Sequence, residues 1–209
     1  MSRTYFLSGI DTDAGKTYAT AFLARRFMSQ GLSVATQKFV QTGCVSFSED
    51  IEAHRRLMGI APLPEDRDLT TAPQIFTHPC SPQLAARLDG RTIDIEAIDR
   101  SRRLLAERYD VLIIEGAGGL MVPLTDDYFT IDYPAERNLP MVLVTNSRLG
   151  SINHTILALE AIERRGCELA YVIFNHHFDY DPEITADTLG FVQRYLAKHF
   201  PKAELLEMP

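Results

Sequence analysis

A nine-residue stretch near the start of the chain, residues 9–17, carries the residue types that bind phosphate groups. Its sequence is GIDTDAGKT, and it lies between an apolar run and a segment whose apolar residues recur at helical spacing. Small residues let backbone N–H groups turn toward phosphate oxygens, and the first turn of a following helix adds unpaired N–H groups. Lys16 would supply a point charge for the outer phosphates, and Thr17 a hydroxyl for a magnesium ion that bridges them. The stretch therefore predicts a phosphate loop.

The spacing of this stretch departs by one residue from the usual phosphate-loop pattern. The pattern G-x-x-x-x-G-K-[ST] would place a glycine at position 10, where the chain has Ile10, and the first glycine is Gly9. The alternative is an ordinary strand-to-helix turn that needs two glycines and carries a lysine. We prefer the phosphate loop, because the strand, the helix and the hydroxyl all agree with it.

Composition limits the class of protein. The chain has 209 residues, of which 45% are hydrophobic and 23% charged, as expected for one soluble globular domain over residues 1–209. A net charge of -7 argues against wide contact with a nucleic-acid backbone. No apolar run approaches the roughly 20 residues that span a bilayer, and the N-terminus has no signal-peptide layout. Cys44, Cys80 and Cys167 are scattered, which favours reduced thiols. We therefore expect a cytoplasmic protein with no nucleic-acid or membrane partner.

Apolar runs and helical periodicities alternate along the chain. Strands are predicted at residues 5–8, 32–39, 111–114, 141–144 and 169–174 and near 205–206, and helices at 18–28, 50–58, 82–88, 95–107, 152–165 and 181–199. Residues 41–49 are predicted as a polar loop. The proline-rich stretch 61–82 is predicted to be mostly irregular, with a short strand at 74–77 and with Ser81 as the N-cap of the next helix. Continuous apolar strands are buried on both faces, so the pattern predicts an α/β fold of the phosphate-loop NTPase type, with a doubly wound, mainly parallel sheet and helices on both faces.

Polar residues follow four of these strands. The first set is the phosphate loop, the second is Lys38 and then Thr42, the third is Glu115–Gly119, and the fourth is Asn175. Each has a plainer interpretation: a solvated lysine, a helix-capping carboxylate, a tight glycine turn and a turn-forming asparagine. However, a carboxylate after so apolar a strand needs a cation or strong donors nearby. Because ligands bind beyond the carboxyl ends of parallel strands, we predict that the four sets form one site.

These segments together resemble the dethiobiotin synthetase family. The matching stretches run in the family's order over nearly the whole chain, and they are Gly9–Thr17, Lys38–Gly43, Asp50, Glu115–Gly119, Leu149–His154 and Asn175. The resemblance implies ATP-dependent ring closure, in which 7,8-diaminopelargonic acid and carbon dioxide give dethiobiotin, ADP and phosphate. A carbamate and a carbamic-phosphoric anhydride would be the intermediates.

The resemblance also implies roles for individual residues. Catalytic residues would be Lys16, Lys38 and Thr12, and the substrate would be bound by Thr42, Gly150 and Ser151. The last two come from the neighbouring subunit in the family, which implies a homodimer with shared active sites. Magnesium would be bound by Thr17, Asp50 and Glu115. Nucleotide contacts would come from Asp13, Ala14, Gly15, Lys16, Thr17, Tyr18, Asp50, Glu115, Gly116, Ala117, Gly118, Asn175 and His176, with Asn175 reading the adenine edge.

The chain departs from the family pattern at a few positions. Phe39 follows Lys38 where the family usually has proline, and Thr42 replaces the usual serine. The segment around Leu205 resembles a shortened form of the family's terminal nucleotide-contacting segment, which leaves the preferred nucleotide open. His176 and His177 form a pair that the resemblance does not explain, and as a metal pair they are disfavoured because adjacent residues on an extended segment point in opposite directions.

Three other functions fit the sequence less well. A related amidoligase of the cobyrinic-acid type carries an extra glutaminase domain, for which 209 residues leave no room. A partitioning-type ATPase needs a second lysine early in the phosphate loop, where this chain has Asp11 and Asp13. An inactive scaffold is disfavoured by the presence of Lys16, Lys38 and Glu115.

Overall fold

Eight strands and eight α-helices occur in residues 2–209, the part of the chain that the computed structural model describes. The strands are β1 (Arg3–Gly9), β2 (Val34–Lys38), β3 (Gln41–Thr42), β4 (Ile75–Phe76), β5 (Val111–Gly119), β6 (Met141–Asn146), β7 (Leu169–Asn175) and β8 (Glu204–Met208). The helices are α1 (Lys16–Met28), α2 (Glu49–Met58), α3 (Pro64–Arg67), α4 (Pro82–Leu88), α5 (Ile95–Arg108), α6 (Asp132–Glu136), α7 (Ser151–Arg164) and α8 (Pro182–His199), and His176–Phe178 forms a 3-10 turn. Every strand and helix predicted from the sequence is present, with bounds that differ by a few residues.

Six of the strands form one parallel sheet in the order β2-β5-β1-β6-β7-β8. The first strand is central, between β5 and β6, so the loop that follows it opens in the middle of the carboxyl edge. This arrangement confirms the predicted parallel sheet. It also brings the ends of β2, β5 and β7 to the same edge as that loop.

Side chains of the central strands alternate between two apolar layers, one on each face of the sheet. Phe6 and Leu112 belong to the layer that includes residues of α5, α7 and α8. Leu7 and Ile113, the next residue along each strand, belong to the layer that includes α1 and Met58 of α2. Because successive side chains of a strand point to opposite faces, a continuous apolar run fills both layers. The predicted helices on both faces are confirmed.

Helix α2 begins at a conventional cap and carries two side chains of the site described below. The hydroxyl of Ser48 accepts a hydrogen bond from the backbone N–H of Ile51 at 3.2 Å. Three acidic residues lie in the first turn, where the helix dipole favours negative charge. The cap therefore fixes the start of the helix immediately before Asp50.

The structure corrects the sequence prediction in three places. Residues 41–42 were predicted as loop but form β3, which pairs with β4 as a separate two-stranded parallel sheet. Strand β5 continues to Gly119, five residues beyond its predicted end, because glycines lack the apolar signal by which the strand was recognised. The short helices α3 and α6 were not predicted, since four or five residues cannot show a helical period.

Ser81 precedes α4 as predicted, and Pro82 occupies the first turn of the helix. The side chain of Ser81, however, makes no capping hydrogen bond. Within residues 2–209, no helix has the length and apolar character needed to cross a membrane.

Candidate active site

The phosphate loop closes tightly on itself, and this closure accounts for its unusual spacing. A Cβ atom placed on Gly9 would lie 2.9 Å from the Cβ of Ala14, so no side chain fits at position 9. Ile10 is instead held by the sheet, since its N–H donates to the carbonyl of Val144 at 3.0 Å. Gly15, the residue before α1, has φ +92, a left-handed conformation that glycine adopts without strain. The first glycine is therefore needed at position 9.

Lys16 folds back across this loop. Its Nζ donates to the carbonyl oxygens of Asp11 and Thr12, at 2.9 Å each, and the residue is only 5% exposed. Both acceptors are neutral main-chain atoms, and no carboxylate of residues 2–209 is in direct contact with the ammonium group. Such a charge at a loop of backbone amides is suited to an incoming polyanion.

A cavity of about 1400 Å³ opens beside the loop. Most of the residues predicted for the site line it, namely Thr12, Asp13, Gly15, Lys16, Thr17, Tyr18, Lys38, Thr42, Asp50, Glu115, Ala117, Gly118 and Asn175. Ala14 and Gly116 are buried behind this wall. Gly150, Ser151 and His176 do not line the cavity.

Lys38, the last residue of β2, forms a charge cluster with Asp50 of α2 and with Glu115 in the middle of β5. Nζ of Lys38 lies 2.6 Å from Oδ2 of Asp50 and 2.8 Å from Oε1 of Glu115, and it donates to the carbonyl of Gly116 at 3.3 Å. The register of the two strands pairs Lys38 directly with Glu115. Asp50 reaches the same ammonium group from the first turn of α2. The cation that the buried Glu115 requires is therefore Lys38.

Burial and charge oppose each other in this cluster. Burial by itself raises the pKa of Glu115, but the ammonium of Lys38 and then the imidazole of His54 outweigh it and hold that pKa well below its usual range. Burial lowers the pKa of Lys38, but Glu115 and then Asp50 outweigh it, so the pKa of Lys38 is raised. For Lys16, burial and then the charge of Lys38 lower the pKa to about 8. Glu115 is thus ionised and Lys38 is charged at neutral pH. Lys16, with a pKa of about 8, loses its proton just above neutral pH.

The oxygens predicted to bind magnesium converge in this structure. Oγ1 of Thr17 lies 3.2 Å from Oδ1 of Asp50 and 3.2 Å from Oε1 of Glu115. One hydroxyl and two carboxylates are hard oxygen donors that suit magnesium, which keeps waters and phosphate oxygens as its other ligands. In residues 2–209, no group of three or more His, Cys, Asp or Glu side chains is arranged to hold a metal ion alone. The donor set therefore fits a metal ion bound together with nucleotide phosphates.

Asn175 joins the end of β7 to the phosphate loop. Its Nδ2 donates to the carbonyl of Ala14 at 3.0 Å, and its Oδ1 accepts from the N–H of His177 at 3.1 Å. A Cβ atom on Gly15 would lie 2.3 Å from the same Nδ2. The amide lines the cavity and has one further N–H, so reading of an adenine edge stays a prediction. Through its contact with Ala14, Asn175 also positions the phosphate loop.

His176 lies between two carboxylates instead of facing the cavity. Its Nδ1 is 2.6 Å from Asp179 and its Nε2 is 3.0 Å from Glu207. Burial lowers the pKa of His176, but Asp179 and Glu207 outweigh it, so that pKa is raised. The ring therefore connects the end of β7 to β8, and a nucleotide contact by His176 stays a prediction. His177, Phe178 and Met208 line the cavity beside Asn175.

Gly150 and Ser151 lie at the start of α7 and do not line the cavity. Gly150 has φ +92, and Leu149 before it is fully exposed. Oγ of Ser151 is buried without a hydrogen-bond partner in residues 2–209. The structure thus brings the phosphate loop, β2, β5 and β7 together around the cavity, whereas Gly150 and Ser151 are not part of its lining.

Three residues of the site were missed by the sequence analysis: Thr20, Thr36 and His54. The hydroxyl of Thr20 donates to Oε2 of Glu115, and Nε2 of His54 contacts the same oxygen. Thr36 contacts the other ring nitrogen of His54. Periodicity could have indicated all three. Thr20 lies three residues after Thr17 on one helix, His54 lies four residues after Asp50 on another, and Thr36 lies two residues before Lys38 on a strand, so each shares a face with a predicted residue.

Comparisons with known proteins agree with this arrangement. A family model described as an AAA domain matches residues 3–206. The chain is 46% identical over 208 residues to ATP-dependent dethiobiotin synthetase BioD 2 of Haemophilus ducreyi, covering 100% of this chain and 99% of that relative. It is 44% identical to the protein of the same name from Pasteurella multocida, covering 96% of this chain and 94% of the relative. Identity to ATP-dependent dethiobiotin synthetase BioD of Chlorobaculum tepidum is 45%, over 97% of this chain and 85% of the relative.

Solved structures share the fold at low sequence identity. A ParA family ATPase from Chlorobium tepidum aligns with a TM-score of 0.56 at 16% identity, covering 100% of this chain and 86% of that one. The pNOB8 ParA protein bound to nonspecific DNA aligns with a TM-score of 0.59 at 15% identity, with the same coverage. These likenesses confirm the α/β phosphate-loop fold.

Proposed function

The chain belongs to the family of ATP-dependent dethiobiotin synthetases, and on that basis we propose that it closes the ureido ring of dethiobiotin. The substrates would be 7,8-diaminopelargonic acid, carbon dioxide and ATP, and the products dethiobiotin, ADP and phosphate. The observation that carries the proposal is the cluster of Lys16, Lys38, Asp50 and Glu115 around one cavity at the carboxyl edge of the sheet. A cytoplasmic location, and action of residues 1–209 as one phosphate-loop domain, are part of the same proposal.

The reaction needs no protein nucleophile. One amine of the substrate adds to carbon dioxide and loses a proton, which gives a carbamate. A carbamate oxygen then attacks the γ-phosphorus of ATP and displaces ADP, which gives a carbamic-phosphoric anhydride. The second amine attacks the carbonyl carbon and loses a proton, which closes the cyclic urea and expels phosphate. The chain has only to hold the reactants in line and to stabilise negative charge.

Each polar group in the cavity suits one part of that task. Lys16 and the backbone amides of the phosphate loop would bind the β- and γ-phosphates. Lys38, whose charge is secured by two carboxylates, would stabilise the charge that develops between carbamate and γ-phosphate. Thr12 and Thr42 line the same cavity and would orient the carbamate and the amines by hydrogen bonds.

Magnesium would be held by Thr17, Asp50 and Glu115, whose oxygens converge as described above. When bound, the ion would supply positive charge to the phosphate oxygens. Asn175, together with the neighbouring His177 and Phe178, would contact the nucleotide base. These three residues form one wall of the cavity beyond the phosphate loop.

The far carboxylate of the substrate would be bound by a second copy of the chain. Gly150 and Ser151 open α7, where the helix dipole attracts an anion, although the N–H of Ser151 itself donates to the carbonyl of Arg148 at 2.9 Å. The fully exposed Leu149, directly before Gly150, supports a contact surface at this point. Since the segment does not line its own cavity, it would act in the cavity of a partner subunit, which makes the enzyme a homodimer with shared sites.

The test is product analysis of the purified protein with diaminopelargonate, ¹³C-bicarbonate and MgATP. Mass spectrometry should detect dethiobiotin with the label in its ureido carbon, together with ADP. Omitting the diamine should stop ADP formation, and Lys38→Ala serves as the inactive control. Formation of ADP without any dethiobiotin, at the same rate with and without the diamine, would refute the proposal.

A further inference from the structure

Glu115 is held on its buried side by a histidine that the proposed reaction does not use. His54 on α2 is fully buried, and its Nε2 lies 2.7 Å from Oε2 of Glu115. The hydroxyl of Thr20 donates to the same oxygen at 2.9 Å. The other oxygen, Oε1, faces Lys38 at 2.8 Å and Thr17 at 3.2 Å. Oε2 is therefore bound by the surrounding protein, whereas Oε1 faces the cavity.

The second ring nitrogen of His54 is fixed by a chain of buried polar groups. Nδ1 lies 3.0 Å from Oγ1 of Thr36, and the guanidinium of Arg55 donates to that hydroxyl at 2.8 Å. Arg55 is itself held by a two-point contact with Asp66, at 2.9 Å and 2.8 Å. The chain of contacts thus runs from Asp66 through Arg55, Thr36 and His54 to Glu115.

Counting protons along this chain assigns the direction of the hydrogen bond between His54 and Glu115. Thr36 accepts from Arg55, so its own proton is available for Nδ1 of His54. An ionised carboxylate can only accept, so Nε2 of His54 carries a proton and donates it to Oε2 of Glu115. Every proton along the chain then has an acceptor, as buried polar groups require.

We infer that His54 is a positioning residue for the metal-nucleotide site, because it holds Glu115 in the orientation that presents Oε1 to the cavity. The inference rests on the proposed function in taking the ligand to be a divalent cation bound with nucleotide phosphates. The final torsion of a glutamate side chain is broad, so an unrestrained carboxylate would sample many orientations. Two donors on Oε2 remove that freedom before the ligand arrives.

The test compares His54→Leu with His54→Gln. Leucine keeps apolar volume and removes the donor, whereas the glutamine amide can place an N–H near the position of Nε2. The measurement is binding of Mn²⁺ in the presence of a non-hydrolysable ATP analogue, followed by the electron paramagnetic resonance signal of free Mn²⁺ at fixed pH. We expect His54→Leu to weaken Mn²⁺ binding by roughly 10-fold to 100-fold, as is typical when the partner of a metal ligand is removed. His54→Gln should recover most of that loss.

Two controls separate positioning from general damage. Asp99→Asn alters a buried charge cluster outside the cavity, so it should lower thermal stability without changing Mn²⁺ affinity. Thr36→Val keeps the imidazole and removes the hydroxyl that contacts it and that accepts from Arg55, and we expect a loss of roughly fivefold, about the worth of one hydrogen bond. If His54→Leu does not fold, the Mn²⁺ affinity of Thr36→Val decides the test.

The outcomes distinguish this inference from the proposed function. Mn²⁺ affinity within twofold of the parent in folded His54→Leu, or equal losses in the leucine and glutamine variants, would overturn the positioning role. If the parent protein forms no dethiobiotin but His54→Leu weakens Mn²⁺ binding, the inference stands and the proposed function falls. Unchanged Mn²⁺ affinity in Thr36→Val would overturn the contribution of Thr36 and, if His54→Leu does not fold, the positioning role of His54 as well.

Discussion

The side-chain amide of Asn175 donates to the main-chain oxygen of Ala14 at 3.0 Å, which ties the end of β7 to the phosphate loop. The same nitrogen lies so close to Gly15 that a Cβ atom there would be 2.3 Å away. Glycine at position 15 is thus required twice, by its positive φ and by this contact. Asn175 consequently acts on the shape of the loop as well as on any base in the cavity.

Asn175→Ala should weaken ATP and ADP binding by roughly fivefold to tenfold, since loss of a buried hydrogen bond costs about 1 kcal/mol net. If loop positioning dominates, inorganic triphosphate should lose affinity as much as ATP does. If base reading dominates, ATP should lose affinity and triphosphate should not. Isothermal titration calorimetry with ATP and with triphosphate distinguishes loop positioning from base reading. Unchanged affinity for both ligands would contradict both roles of Asn175.

Lys16 is expected to control the pH dependence of nucleotide binding. Its pKa is lowered to about 8 by burial and then by Lys38, whereas a bound polyanion favours the charged form and raises that pKa. ATP affinity should therefore be full below pH 8 and should fall as the pH rises above it. Lys16→Ala should lose roughly 1.5–3 kcal/mol of binding free energy, the worth of a hydrogen bond to a charged group, and its affinity should stay flat above pH 8. An identical pH profile in both proteins would remove Lys16 from the phosphate site.

Lys38→Ala should reduce catalysis more than binding. Its charge lies where negative charge would develop, so we expect kcat to fall by on the order of 100-fold or more while ATP still binds. The variant also leaves Glu115 buried with fewer donors, so thermal unfolding must first show that it is folded. Lys38→Gln, which keeps a donor and loses the charge, is the matched control. A loss confined to the Michaelis constant of the diamine would contradict the role.

Glu115 and Asp50 should differ as magnesium ligands because their exposure differs. The Glu115 side chain is 1% exposed and the Asp50 side chain 26%, so water can replace Asp50 more readily. Both Glu115→Gln and Asp50→Asn should raise the magnesium concentration needed for half-maximal activity, with the larger rise for Glu115→Gln. Magnesium titrations at saturating ATP measure both effects. A titration that matches the parent would remove that residue from the metal shell.

Gly150→Glu should raise the Michaelis constant of the diamine while leaving ATP binding nearly intact. The new carboxylate would repel the far carboxylate of the substrate, and Gly150 lies outside the cavity that would hold the nucleotide. Gly150→Arg at the same left-handed position is the matched control, because it imposes the same backbone strain with the opposite charge.

Subunit mixing tests whether Gly150 acts in the partner's site. A Lys38→Ala protein and a Gly150→Glu protein form hybrid dimers in which one of the two sites carries neither change. After full exchange, roughly a quarter of the parental activity should return in a two-fold symmetric dimer. Sedimentation as a fully active monomer, or no recovery despite proven exchange, would overturn the shared site.

The sequence alone was sufficient for the parts of this protein that depend on local chemistry. The phosphate loop was predictable because strand, glycines, lysine, hydroxyl and helix follow one another within a few residues. The parallel sheet was predictable because continuous apolar strands can be buried only between two layers of helices. The need of Glu115 for a cation was predictable too, since the cost of burying an ionised carboxylate does not depend on the fold.

Only the tertiary structure decided which distant groups meet. Asn175 and Ala14 are 161 residues apart in the sequence, and His54 and Glu115 are 61 apart, so neither contact leaves a local pattern. Strand order makes Lys38 the direct neighbour of Glu115, although β2 and β5 are far apart along the chain. The physical reason is that a strand's apolar pattern specifies burial but not its neighbour. Pairing is selected by how all the helices and strands pack together, and that packing brought His54 to the buried oxygen of Glu115.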